Sequence, residues 1–151
     1  MPLSAGDLSE IRARMLAYMR NHVTMTLATA GAGEAHAATL FYANDGFDIF
    51  FLSSPSSVHS EHIMANPGVF LTISQDYDDW RRIQGLQIRG RASLLQDDSR
   101  ARDVYIGKYP FVAAFPESDA RYWHIAVYWA RMIDNTVGFA HKDELDLSEG
   151  S

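Results

Sequence analysis

Hydroxyl-bearing side chains crowd one short stretch of the sequence, just before and inside a predicted helix. They are Ser53, Ser54, Ser56, Ser57 and Ser60, and His59 lies in the first turn of that helix. The N-terminus of a helix exposes unpaired N–H groups and the positive end of the helix dipole, so these residues suit a phosphate group. In the alternative interpretation, the serines only cap the helix and form a polar loop.

His59 is the only side chain of residues 53–60 that can carry a positive charge. A histidine pKa of about 6.5 leaves it mostly neutral at pH 7, whereas a bound phosphate raises that pKa and favours the charged form. We therefore expect phosphate binding at this stretch to weaken as the pH rises between about 6 and 8.

His59 and His62 also form a His-x-x-His pair, which a helix places on one face. A metal site needs at least a third ligand, and His36, His124 and His141 are scattered along the sequence. We therefore predict no metal site. The chain has no cysteine, which excludes thiolate catalysis and disulfides, and it lacks the nucleophile elbow of many serine hydrolases.

The length and the charge balance restrict the class of protein. A chain of 151 residues has the size of one domain. Its 19 acidic and 13 basic residues give a net charge of −6, so it lacks the basic surface of a general nucleic-acid binder. No apolar run approaches the roughly 20 residues that span a bilayer, and the N-terminus lacks the pattern of a signal peptide. We predict a cytoplasmic protein that binds neither nucleic acid nor membrane.

Hydrophobic periodicity predicts three helices and six strands. The helices begin at Asp7 or Ser9, at Val58, and at Asp97 or Asp98, and they end near His22, Ala65 and Tyr109. The strands are Thr24–Ala30, Glu34–Ala43, Asp48–Ser53, Val69–Gln75, Ile83–Leu95 and Tyr122–Ile133. Tight turns separate most of the strands, which favours an antiparallel sheet or barrel with helical additions.

Two further features concern the fifth strand and the end of the chain. Gly85 and Gly90 lie inside the fifth strand, where glycine often marks a bulge or a close approach of two backbones. We expect residues 1–142 to form the single domain. The acidic segment 143–151 has few apolar residues to pack, so we expect a loose tail.

Several segments together resemble the FMN-binding split-barrel proteins related to pyridoxamine 5′-phosphate oxidase. The segments that carry the resemblance are Asp48–Ser54, Ser57–Ser60, Ile63–Val69 and Gln87–Ala92. The order of helices and strands from about Ile11 to about Asn135 is also similar to that family. The resemblance implies a mainly β fold, a six-stranded antiparallel split β-barrel with short flanking helices. It also implies a homodimer with FMN at the dimer interface.

The same resemblance implies a set of cofactor-binding residues. Family members place the backbone of the second strand against the isoalloxazine ring, and they often contact the flavin with residues of the partner subunit at the positions of Trp80 and Gln84. Family members also often carry Arg or Lys where this chain has Ser57–Ser60, so His59, Arg89 or Arg91 would supply the missing positive charge. The cofactor-binding residues predicted in this way are His36, Ala37, Ala38, Thr39, Ser53, Ser54, Ser57, His59, Ser60, Trp80, Gln84 and Arg89.

The resemblance implies a flavin-dependent oxidoreductase with a small-molecule substrate or electron donor. We predict no catalytic side chain, because the flavin itself accepts and donates hydride. We do not expect true pyridoxamine phosphate oxidase activity, because the basic C-terminal motif of those enzymes contains a histidine that Arg131–Asn135 lacks. Two alternatives stay open. One is a dimer that holds FMN, deazaflavin F420 or haem without turnover, and the other is a split barrel without a cofactor.

Overall fold

In a computed structural model, which describes residues 5–114 and 118–148, one antiparallel sheet curls around a hydrophobic core. Its strands are β1 (Thr24–Gly31), β2 (Glu34–Phe41), β3 (Ala43–Asp45), β4 (Asp48–Ser53), β5 (Gly68–Ser74), β6 (Gln84–Leu94), β7 (Arg121–Asp134) and β8 (Lys142–Asp146). The helices are α1 (Ala5–Arg20), α2 (Val58–Ala65) and α3 (Ser99–Lys108), with 3₁₀ turns at Trp80–Arg82 and Pro110–Ala114. The predicted fold class, a mainly antiparallel split barrel with short helices, is confirmed.

The chain connectivity forces the sheet to curl. Hydrogen-bonded neighbours follow the order β2-β1-β5-β6-β7-β4-β3, and β8 pairs with β7 as well. Strands β2 and β3 lie at opposite ends of this order, yet only Tyr42 separates them in the chain. The two ends of the sheet must therefore meet, and the inward side chains of all the long strands share one core. Met25 and Leu27 of β1 illustrate the alternation, since both are buried while Thr26 between them is exposed.

The long strands β6 and β7 pair along their whole length with one irregularity. The register shifts between Arg89 and Gly90, which is a β-bulge. A Cβ at Gly90 would lie 2.5 Å from Ile125 Cγ2 and 2.9 Å from the Ala126 carbonyl oxygen. The predicted bulge or close approach is therefore confirmed at Gly90. At Gly85 the pairing is regular and a Cβ would have ordinary contacts of 3.5 Å.

The helices cover the barrel at three places. Met15 and Met19 of α1 are fully buried against the core, and the Tyr18 hydroxyl of the same helix donates to the Gln84 carbonyl at the start of β6. Ile63 of α2 is buried near the Gly31 end of β1. Helix α1 and helix α2 therefore lie at opposite ends of the barrel. Helix α3 packs outside the sheet, where its Ala101 and Tyr105 form a second apolar cluster with β4 and β7.

The strand count and the tail differ from the sequence predictions. The described residues form eight strands rather than six, because the predicted second strand breaks at Tyr42 and because β8 follows β7. The prediction of a loose tail is wrong for residues 143–148. Strand β8 pairs with residues 129–133 of β7, and Leu145 and Leu147 are buried in the core. Residues 149–151 lie outside the described residues. No helix within the described ranges is both long and apolar enough to cross a membrane.

Candidate functional site

The serine-rich stretch forms a tight cluster between the end of β4 and the first turn of α2. The Ser53 hydroxyl lies 2.6 Å from Nε2 of His59, and the Ser57 hydroxyl lies 3.1 Å from the same nitrogen. The Ser57 hydroxyl is also 2.7 Å from the Ser60 hydroxyl. The structure therefore brings together four of the predicted site residues, which we call the serine cluster: Ser53, Ser57, His59 and Ser60.

Buried aromatic packing holds the start of this cluster in place. The indole N–H of Trp123 donates a 3.0 Å hydrogen bond to the Ser53 carbonyl, and the Trp123 ring stacks on Phe51. Ser54, in contrast, is at the outer rim, where its hydroxyl donates to the carboxylate of Asp119. Ser54 is therefore close to the cluster in sequence but faces solvent on another side.

The N-terminus of α2 offers donors to an anion. Ser57 occupies the N-cap position with an extended backbone, but its side chain makes no capping hydrogen bond to the helix. Its hydroxyl instead contacts the Ser54 carbonyl, Ser60 and His59. The backbone N–H groups of the first helical turn have no intrahelical partners. These N–H groups and the hydroxyls of the cluster are the kinds of donor from which phosphate oxygens accept.

Two further histidines approach this cluster. The His36 ring, on β2, lies 6.2 Å from the His59 ring and 6.0 Å from the His62 ring, centroid to centroid. Burial lowers the pKa of His59, and the neighbouring His36 and His62 lower it further. In the described part of the chain, no group of three or more histidine or carboxylate side chains is arranged to hold a metal ion.

The small residues of β2 are divided between the two faces of the sheet. Ala38 pairs with the buried Leu27, so it faces the core with His36, whereas Ala37 and Thr39 face outward. The outward row continues from Ala37 to Ala28 of the neighbouring strand. A flat ring could therefore approach the backbone of this strand from the outside.

Trp80 and Gln84 lie at the opposite end of the barrel from the serine cluster. Strand β5 runs from Gly68, just after α2, to Ser74, and the following loop carries Trp80. Trp80 is 57% exposed and its ring meets Phe139 edge to face. The Gln84 amide donates to Asp134 beside a cleft of about 420 Å³ next to α1. Within one chain, these two residues do not join the serine cluster.

Arg89 and Arg91 also lie away from the serine cluster. The Arg89 guanidinium stacks over the rings of Trp129 and Phe70, at 4.7 and 5.6 Å, on the outer face of the sheet. Arg91 lines a different cleft together with Arg12 and Asp45. The arrangement in one chain therefore leaves His59 as the group of the cluster that can become positively charged.

Sequence reasoning did not identify His62 and Thr29 as site residues. The Thr29 hydroxyl lies 3.0 Å from Nδ1 of His62, and Thr29 is paired directly with His36. Strand alternation could have placed Thr29 and His36 on one face. Only the packing of α2 on β1 brings His62 to them, and the sequence pattern carries no sign of that contact.

Comparisons with known proteins agree with this architecture. The family model described as pyridoxamine 5′-phosphate oxidase matches residues 11–134. A UPF0306 protein of Yersinia pestis is 28% identical over 129 residues, which is 83% of this chain and 86% of the relative. The chain belongs to the pyridoxamine 5′-phosphate oxidase family.

Solved structures share the fold at low sequence identity. A haem-binding protein of Mycobacterium smegmatis matches with a TM-score of 0.72 and 20% identity, over 97% of this chain and 59% of that chain. An FAD-binding protein of Mesorhizobium loti matches with a TM-score of 0.66 and 19% identity, over 86% of this chain and 94% of that chain. At these identities the likeness shows the fold alone.

Proposed function

We propose that this chain is a cytoplasmic FMN-binding flavoprotein of the oxidoreductase type. It works as a homodimer on a small-molecule substrate or electron donor. The cofactor phosphate lies at the serine cluster, and the isoalloxazine ring lies against the backbone of β2. Trp80 and Gln84 of a partner subunit complete the ring site. When bound, the flavin supplies hydride transfer, and the chain supplies position and electrostatics.

One observation carries this proposal: hydroxyls from β4 and α2 converge with His59 at a helix N-terminus in a chain of this family. Phosphate monoesters carry between one and two negative charges near neutral pH and present several acceptor oxygens. Hydroxyls and backbone N–H groups can each donate to such oxygens. Relatives of the same fold include a protein that binds FAD, which supports a flavin-type cofactor.

The test is a titration of the purified protein with FMN, followed by quenching of flavin fluorescence. We expect the double variant Ser57→Ala/His59→Ala to weaken FMN binding by about 1–3 kcal/mol, the scale of hydrogen bonds to charged groups. The control is Ser56→Ala, because Ser56 contacts Ser54 on the exposed rim. An unchanged FMN affinity in the double variant would place the phosphate elsewhere.

A second candidate is a protein that holds haem without turnover. The specific observation in its favour is the group of three imidazoles around His36, since histidine is a common axial ligand of haem iron. A structural relative that binds haem has the same fold. A visible spectrum separates the candidates, because haem gives an intense Soret band and flavin gives blue-light absorption with green fluorescence. A colourless protein that takes up neither group would contradict both.

A further inference from the structure

Three imidazoles meet where α2 packs on the β1–β2 hairpin. His59 and His62 come from α2, and His36 comes from β2. His36 lies nearly parallel to His59 at 6.2 Å and perpendicular to His62 at 6.0 Å. We call His36, His59 and His62 the histidine cluster.

Each α2 imidazole of this cluster is fixed by its own contact. His62 bonds to the Thr29 hydroxyl through Nδ1, and its ring lies against Gly31, where a Cβ would come within 2.7 Å of His62 Cδ2. His59 is 6% exposed and bonds to Ser53 and Ser57 through Nε2. Gly31 therefore leaves room for the His62 ring, which a side chain at position 31 would displace. The rings are held close together by packing, without the ligand arrangement that a metal ion requires.

None of the neighbouring carboxylates named below forms an ion pair with the histidine cluster, so a positive charge on the cluster is not neutralised. Glu61 and Glu34 are exposed, and Asp119 is engaged at the outer rim with Ser54. The guanidinium of Arg121, whose backbone pairs with Ser53, donates to the Leu95 carbonyl. Arg91 on β6 lines another cleft. Burial and the two other imidazoles lower the pKa of His59, so protonation of His59 is costly in the chain without ligand.

We propose that the histidine cluster makes the serine cluster a proton-coupled anion site, where a tetrahedral dianion of the phosphate type binds together with protons taken up by the imidazoles. The inference rests on the proposed position of the phosphate. A dianion beside His59 offsets the repulsion between neighbouring imidazolium groups, so anion and protons favour each other's binding. Linkage makes this effect reciprocal: the anion raises proton affinity by the same factor as protons raise anion affinity.

The test uses sulfate as the probe, because sulfate is a tetrahedral dianion that does not titrate near neutral pH. Its affinity is measured by calorimetry at constant ionic strength between about pH 5.5 and 7.5, which brackets the reference histidine pKa. We expect the affinity to rise on acidification, by about tenfold per pH unit for each proton linked to binding. His36→Gln and His62→Gln should each make this dependence shallower. His22→Gln is the matched control, because His22 stacks on Tyr18 near the opposite end of the barrel.

A second readout needs no substitution. Histidine ring protons of the wild-type chain are titrated by NMR with and without sulfate, and sulfate should raise the pKa of His59, which burial and the two neighbouring imidazoles lower in the chain without ligand. A pH-independent sulfate affinity, no sulfate binding at any pH, or equal pH profiles in wild type, His36→Gln and His62→Gln would overturn the inference.

Parallel titrations with FMN, riboflavin and inorganic phosphate separate this inference from the proposed function. If FMN binds but the affinity for sulfate does not change with pH, the proton coupling is overturned and the cofactor proposal still holds. Proton-coupled binding of sulfate and phosphate without FMN binding supports the anion site and contradicts the cofactor. Riboflavin lacks the phosphate. Proton uptake that accompanies FMN binding but not riboflavin binding would therefore be linked to the phosphate group.

Discussion

Gly90 shows how one missing side chain allows the backbones of two paired strands to approach each other closely. The β-bulge at this residue brings the backbone of β6 against Ile125 and Ala126 of β7. We expect Gly90→Ala to lower the free energy of unfolding by about 1–3 kcal/mol, the range for overpacking. Gly85→Ala on the same strand should stay within about 1 kcal/mol of wild type, because its Cβ has ordinary contacts. Urea denaturation measures both, and equal losses would contradict the role of the bulge.

The lowered pKa of His59 predicts how the stability of the chain without ligand depends on pH. Its pKa is lowered on folding by burial and by His36 and His62, so the unfolded chain binds this proton more tightly. The free energy of unfolding should therefore fall as the pH drops below about 6.5, the unfolded value. Denaturant unfolding at about pH 7.5 and 5.5 should show this fall in wild type and a smaller one in His59→Gln. The same fall in both chains would show that another group is responsible.

An ion network joins the helix α1 to the last two strands. Arg14 pairs with Asp134 of β7 at 2.6 Å and with Asp143 of β8 at 3.0 Å. Asp134 is almost fully buried and also accepts hydrogen bonds from Gln84 and Thr136. This network anchors the segment that the sequence had predicted to be a loose tail.

Removing Arg14 should leave the buried carboxylate without its cation. We expect Arg14→Met to cost about 2–3 kcal/mol of unfolding free energy, less than for a fully buried pair because Arg14 is partly exposed. Arg102→Met, which breaks an exposed pair between α3 and its N-cap residue Asp98, should cost about 0.3–0.5 kcal/mol. Chemical denaturation measures the unfolding free energy of both variants, and a similar loss in Arg14→Met and Arg102→Met would argue against the network.

The network also has a signature at low pH. Burial alone would raise the pKa of Asp134, but hydrogen bonds from Thr136, Gln84 and Arg14 outweigh it, and the pKa is lowered. Its contribution to stability is therefore complete above the unfolded value of about 3.9 and is lost as the pH falls through the lower folded value. Asp134→Asn should flatten the acid side of the stability profile below about pH 4. If Asp134→Asn loses stability at low pH as steeply as wild type does, Asp134 is not the cause of that loss.

Local patterns were sufficient for the long elements and insufficient for contacts between them. The alternation in β7 and the glycine in β6 predicted a barrel strand and its bulge, because both depend on neighbours in the sequence. The burial of Leu145 depends on its pairing with Ala130 of β7, which lies 15 residues earlier, so the acidic composition of the segment around Leu145 does not predict it. In the same way, the serine cluster was predicted from its own stretch, whereas His62 joins it only through packing on Thr29 and Gly31.

At the scale of the whole molecule, the outer face of the sheet has two contrasting halves. One half carries a ridge of three large side chains that are paired across β5, β6 and β7: Phe70, Arg89 and Trp129. The ridge is continuous because the Arg89 guanidinium stacks over both rings. The same row continues through Ala28 and Ala37, where the side chains are small. A two-fold interface in which the ridge of one copy packs on the shallow half of the other would be self-complementary.

The proposed homodimer therefore predicts which substitution separates the copies. We expect wild type to have about twice the 16.9 kDa chain mass by size-exclusion chromatography with light scattering at micromolar concentration. Phe70→Glu places a carboxylate in the ridge and should shift the protein to the monomer mass, because an unpaired charge is costly to bury in an interface. Leu8→Glu on α1 is the control, since Leu8 is an exposed apolar residue outside this face. A wild-type monomer would refute the dimer, and a dimeric Phe70→Glu variant would move the interface to another surface. In the proposed dimer, Trp80 and Gln84 of one copy complete the ring site of the other, so the monomeric variant should also bind the flavin ring more weakly than Leu8→Glu does.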